Sequence, residues 1–173
     1  MKRIGVVLCS VCLAASGLVS TSAVRADSGT TCTVENPVDL TPGLSLLEGS
    51  TGTFDNQSRA TVSCDGPVHG ITPTGPGKML DKGAYGTKDP DDCVHGGEGT
   101  GAYTMTLPTA KGTKTVVLPF ALEFAAPSTN GGLVGVHTRG DGFTGEFGAI
   151  PSAGDCVSAP VTQVMVTGKI VFS

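Results

Sequence analysis

Apolar and polar positions alternate with a period of two through much of the chain. In GAYTMTLPT (101–109), Tyr103, Met105 and Leu107 share one face while Thr104 and Thr106 share the other. In TKTVVLPFALEF (113–124), Val116, Leu118, Phe120, Leu122 and Phe124 point one way, and Thr115, Val117, Pro119, Ala121 and Glu123 the other. The intervening TAKG (109–112) is a short glycine-containing connection and predicts a hairpin. The pattern resumes in GLVGVHT (132–138), turns through 139–142, and continues in FTGEFGAI (143–150), where Phe143 and Phe147 share a face. In VTQVMVTGKIVFS (161–173), Val164, Val166, Ile170 and Phe172 alternate with Gln163, Met165, Thr167 and Lys169. A final strand carrying Phe172 so near its end is expected to lie paired inside a sheet, with truncation damaging.

The first half is less regular. TTCTV (30–34), SLLEGSTGTF (45–54) and RATVSC (59–64) predict strands, with DNQS (55–58) a turn between the last two. Residues 66–97 are rich in Gly, Pro, Asp and Lys. They read either as one long excursion with short strands at 69–72 and 84–86 or as a mobile loop, where function would sit if a loop displays it.

No window after residue 26 sustains apolar spacings of three and four, so helix is disfavoured. About eight to ten short strands with no helix to cover a sheet imply an all-β fold. An antiparallel β-sandwich, Ig-like or jelly-roll-like, is expected. Pro119 donates no ladder hydrogen bond and so suggests an edge, which a closed barrel lacks. A small β-barrel is the alternative.

The first residues differ in kind. Lys2 and Arg3 precede an apolar run from Ile4 to about Val19, followed by a small polar stretch ending Val24, Arg25, Ala26. This is the layout of a secretory signal peptide. The expected organisation is a signal peptide over 1–26 and a single secreted β domain over 27–173, with no membrane span after cleavage. Loss of the leader removes three basic residues and leaves eight basic against fifteen acidic ones, a net charge of −7. With no basic stripe to offset it, that charge argues against nucleic acid as a partner. Export also gives meaning to the four remaining cysteines, Cys32, Cys64, Cys93 and Cys156, which read as two disulfides. Of three possible pairings, Cys32 with Cys64 and Cys93 with Cys156 is favoured.

The densest chemistry lies in DDCVHGGEGTG (91–101). Cys93 with His95, and Cys64 with His69, could suggest a zinc site or a Cys/His nucleophile. Both need reduced thiolates, which export opposes, and the spacings match no common zinc pattern. Asp89, Asp91, Asp92 and Glu98 offer hard ligands, but Cys93 and Val94 fall where an EF-hand loop would continue. No metal, cofactor or catalytic residue is therefore expected. The common hydrolase and nucleotide motifs are absent, and a triad built on His69, His95 or His137 would be arbitrary. Arg139, Gly140 and Asp141 spell RGD at an expected hairpin tip, which turn chemistry alone explains. Asn56-Gln57-Ser58 is a glycosylation sequon.

Three segments carry a resemblance: Cys64-Asp-Gly, the Gly99-Thr-Gly strand running to Leu107-Pro, and Gly154-Asp-Cys-Val-Ser-Ala-Pro-Val-Thr. In these the chain resembles small exported β-rich proteins of actinobacteria. The resemblance implies an extracellular or cell-envelope setting and a paired Cys156. A weaker likeness is to Ig-like pilus or coat subunits, which licenses no function.

The expected function is a non-catalytic, disulfide-stapled domain in the cell envelope or outside the cell, binding an extracellular protein or cell-surface component. The candidate recognition residues are Asp91, Asp92, His95, Glu98, Arg139 and Asp141. The alternative is a secreted enzyme inhibitor or a metal-binding module using residues 66–101.

Overall fold

The strand that begins at Thr31 and the strand that ends at Phe172 are hydrogen-bonded to each other, and this pairing decides the architecture. The computed structural model describes residues 29–46, 48–125 and 134–173. The expected leader, 1–26, lies outside the described residues.

The strands are β1 (Thr31–Leu44), β2 (Gly52–Asp55), β3 (Ala60–Cys64), β4 (Gly77–Tyr85), β5 (Gly97–Thr109), β6 (Gly112–Phe124), β7 (Val134–Gly140), β8 (Phe143–Ala153) and β9 (Val161–Phe172). All pairings are antiparallel. Neighbours in sequence are neighbours in space from β3 to β9, and β9 returns to β1 from Thr31↔Val171 to Leu44↔Val161. β2 and β3 each pair with both β1 and β4, so together they fill one position in the wall. The result is an eight-position, closed, up-and-down barrel.

The expected sandwich is thus overturned in favour of a barrel. Pro119 misled because its edge is local. The β5–β6 hairpin runs on past the wall, and β7 meets β6 only from Phe120↔Gly140 to Phe124↔Val136. Pro119 sits one residue outside that ladder, where its missing N–H breaks nothing.

The interruption between β2 and β3 is a turn in which Gln57 and Ser58 both take left-handed φ angles of 51° and 59°. Asp55 Oδ1 accepts from Gln57 N at 2.6 Å and Asn56 Oδ1 from Ser58 N at 3.0 Å, the local bonding that makes Asp and Asn turn formers. Where the strand breaks, the Asn56 side chain takes over the ladder. Its Nδ2 donates to Met79 O at 2.9 Å, and its Oδ1 accepts from Asp81 N at 2.9 Å.

Inward positions follow the alternation. Val34, Val62, Met79, Met105, Leu107, Leu118, Ile170 and Phe172 fill the lower half, the end that holds the chain's last residue. Val68, in the β3–β4 connection, is fully buried and plugs that end. Full burial of each large side chain stabilises by roughly 1.5–3 kcal/mol, so β9, with Ile170 and Phe172 inside, is integral to the core. Outward positions carry the charged residues Glu35, Asp39, Lys78, Lys82, Glu123 and Glu146. Among the described residues no helix is long and apolar enough to cross a membrane.

Residues 66–97 hold more order than expected, because β4 occupies 77–85. Its inward residues are Gly77, Met79, Asp81, Gly83 and Tyr85. The paired Gly83 and Gly101 make room for aromatic rings: a Cβ on Gly83 would lie 2.4 Å from the Phe54 ring, and one on Gly101 2.8 Å from both Phe54 and Phe120. Phe54 and Phe120 stack over this gap at 6.3 Å.

Candidate ligand cavity at the barrel mouth

Among the described residues, none fills the upper half of the barrel. A cavity of about 220 Å³ lies inside it. Leu40, Leu122, Val136, Phe147, Val164 and Val166 form much of its apolar wall. An eight-position barrel is just wide enough to be filled by its own side chains or to hold one small ligand. Here the small inward residues Ala149 and Thr138, with the half-buried valines, leave the space open.

Two aspartate-cysteine turns cover the mouth. The structure pairs Cys32 with Cys64 and Cys93 with Cys156, the favoured pairing. Cys32 and Cys64 are directly opposed on β1 and β3, Cα to Cα 3.9 Å, in the filled half. Cys93 belongs to the β4–β5 connection and Cys156 to the β8–β9 connection, half-way round the wall from each other. Their bond bars the opening, and both line the cavity.

Each cysteine is held by the aspartate before it. Asp92 Oδ1 accepts from Val94 N at 2.7 Å and His95 N at 2.6 Å, and its Oδ2 meets His95 Nδ1 at 2.8 Å. The His95 hydrogen bond leads in holding the Asp92 carboxyl below the usual aspartate value. Asp155 Oδ1 accepts from Val157, Ser158 and Ala159 N, and Oδ2 from the Ser158 hydroxyl at 2.7 Å. These bonds, the Ser158 hydroxyl first, bring Asp155 down to about 2. Val94 and Val157, each following its cysteine, are exposed at the rim.

The other expected site residues divide between scaffold and far surface. Asp91 is buried, with Oδ2 accepting from Gly86 N at 2.8 Å and Oδ1 from Glu98 N at 3.2 Å. Burial pushes its carboxyl up, against those two bonds. Through its backbone it is also joined to Ser50, fastening the β4–β5 connection to the β1–β2 connection. Glu98 lies within β5 and pairs with Lys88 through Oε2 at 2.7 Å, its Oε1 being buried with no hydrogen-bond partner among the described residues. Asp91, Asp92, His95 and Glu98 therefore do gather around Cys93, but their carboxylates serve the loop's own geometry.

Arg139 and Asp141 are exposed at the β7–β8 turn, at the opposite end of the barrel. Gly140 between them is required by packing, since a Cβ there would lie 2.1 Å from the Phe143 ring. His69 stands edge-on to Phe172 at the plugged end, His95 is at the mouth and His137 faces outward on β7, so the structure does not bring the three together. Among the described residues no group of three metal-ligating side chains converges. The Asn56 sequon is buried, its amide nitrogen donating to both Met79 O and Asn36 Oδ1.

A polar layer beneath the cavity was missed in the sequence. Asn36 Nδ2 donates to Asp81 Oδ2 at 2.7 Å, Asn56 braces Asn36 from the turn, and Tyr103 OH donates to Thr138 Oγ1 at 3.3 Å. Desolvation, with Asp55 nearby, raises Asp81 to about 7 against the bond from Asn36. Two sequence signals point here: the period of two running through Met79, Asp81, Gly83 and Tyr85, and the tripeptide Asp-Cys-Val, which occurs at both 92–94 and 155–157.

No protein family, curated protein or solved structure matched the chain.

Proposed function

We propose that this protein is an exported β-barrel that binds a small apolar molecule in its upper interior, beneath the lid formed by the Cys93–Cys156 turns. One observation carries the reading: a largely apolar cavity of about 220 Å³ lies in the upper barrel beside the buried hydrophobic cluster. Cavities somewhat smaller than this, when lined by Leu, Ile and Phe, stay dry and take up benzene. Export is supported by the two disulfides, which persist in oxidising compartments, and by the basic and apolar character of residues 1–26. The role is one of binding, with the loops at the mouth controlling access.

Ligand-detected NMR with toluene tests this. Toluene saturation transfer is expected in the native protein and is expected to be lost in Val136→Phe, whose ring would occupy the cavity from a half-buried wall position. An unchanged thermal melt shows that the variant is folded. Equal transfer in both proteins would refute an interior site.

A further inference from the structure

The cavity has a floor and a rim of one electrostatic sign. Among the described residues that line it, Asp81 is the only carboxylate at its floor, Asp92 and Asp155 are the carboxylates at its mouth, and there is no Lys, Arg or His. Asp92 and Asp155 are fully engaged by their own turns, as described above. Asp81 is not: its Oδ2 accepts from Asn36, whereas its Oδ1 is buried with no hydrogen-bond partner among the described residues. The residue is 7 % exposed and lines the cavity. A buried acceptor left unpaired is costly, of the order that a native fold retains for a purpose. When Asp81 is ionised the missing partner must be a donor, and it must reach Oδ1 through an apolar space with further carboxylates, Asp92 and Asp155, at its mouth.

Resting on the apolar-cavity reading, we propose that the occupant is a small protonated amine, its apolar body in the upper barrel and its ammonium group donating to Asp81 Oδ1. The same field works against fatty acids and other carboxylates, whose negative head would enter a site with no cation to meet it. An ammonium inside the barrel gains far more from one carboxylate than it would in water, because the wall around it is apolar. Asn36 holds Oδ2 and thereby fixes the direction in which Oδ1 presents its lone pairs.

The groups facing Asp81 from neighbouring elements leave it in control of the pH response. β1 offers Asn36, the β2–β3 turn Asn56 and β7 Thr138, none of which titrates in the ordinary range; β5 offers Tyr103, whose hydroxyl is pushed well above its usual value by burial and by Asp81 itself. Asp55, on β2, acts through its charge and raises Asp81. At low pH Asp81 is neutral in the unliganded protein and gives up its proton when an ammonium binds. Amine affinity therefore rises as pH increases toward 7 and levels off above it.

Calorimetric titration with octylamine, 1-octanol and octanoate below their micellar concentrations tests the proposal. At pH 8 the amine is expected to bind at least tenfold more tightly than the alcohol, with octanoate weakest. Below pH 7 amine affinity should fall by about tenfold per pH unit while alcohol affinity stays level. Asp81→Asn, which keeps the shape, should bring amine and alcohol within threefold of each other. Equal binding of amine and alcohol by the native protein, or an amine preference that survives Asp81→Asn, overturns the amine assignment while leaving the cavity reading intact. Failure of toluene and all three chains to bind overturns both.

Discussion

Asn36 Nδ2 donates to Asp81 Oδ2 at 2.7 Å across the inside of the barrel, joining β1 to β4 beneath the cavity. The two residues are 45 positions apart in sequence, and neither belongs in a conventional hydrophobic core. Asn56 completes the layer by bonding to both the Asn36 side chain and the β4 backbone. A filled apolar half thus ends at a polar floor, and the open half begins there.

Asp81 makes stability fall with rising pH. Its carboxyl sits near 7 in the folded protein and near 3.8 when exposed, so between those values the folded state holds a proton that the unfolded chain has released. The associated stability is full below pH 3.8 and is lost as pH rises through 7, by up to about 4 kcal/mol. Urea denaturation of Asp81→Asn and the native protein should give similar stabilities near pH 4. At pH 8 the variant should be the more stable of the two. A constant difference across that range would contradict the assignment.

Asn56 substitutes for a stretch of ladder, so its loss should exceed that of a surface turn residue. Asn56→Ala leaves Met79 O, Asp81 N and Asn36 Oδ1 without their partner inside the barrel. At about 1–3 kcal/mol for each buried group left unpaired, a loss of at least 3 kcal/mol is expected in urea unfolding. A loss below 1 kcal/mol would show that the backbone closes the gap unaided.

Gly83 is expected to resist substitution despite the poor strand propensity of glycine. An added methyl would approach Thr100 O at 2.2 Å and the Phe54 ring at 2.4 Å. Gly83→Ala should destabilise by about 1–3 kcal/mol through overpacking. Stabilisation on the same substitution would mean that the rings move freely.

The Cys93–Cys156 bond both staples and covers. Its residues are 63 positions apart, and a loop of that length gives about 4 kcal/mol in the chain-entropy model. Replacing both cysteines by serine should lower the melting temperature by roughly 10 °C in a protein of this size. Toluene should still bind, and should exchange faster, because the barrel closes through β1 and β9 without the bond.

The sequence made the second half legible because Tyr103, Met105, Leu107, Phe120, Phe147 and Phe172 mark the inward face with large apolar groups. β4 was hidden for the converse reason. Two glycines and a carboxylate stand on its inward face, the space above Gly83 being taken by the Phe54 ring and that above Gly77 by Leu107. β1 was read as ending at Val34, where Asn36 and Pro37 interrupt a pattern that Val38 and Leu40 continue. Closure itself depends on the pairing of Thr31 with Val171, a relation between the two ends of the described chain that local alternation does not encode. The same limit applied to the site. DDCVHGGEGTG announced chemistry through its residue types, yet Asp91 and Asp92 are occupied in building a lid, and the carboxylate that lines the cavity with an open acceptor lay ten residues upstream of Asp91 in a stretch that resembled a loop.

Xenon pressurisation of a crystal tests the central claim most directly, since it asks whether the upper barrel admits an apolar guest. Xenon is expected inside the barrel between Leu122, Val136 and Val164, beneath the Cys93–Cys156 bond, and should be absent in Val136→Phe. Xenon found only on the outer surface, or the same interior site in both proteins, would contradict a binding cavity at the mouth.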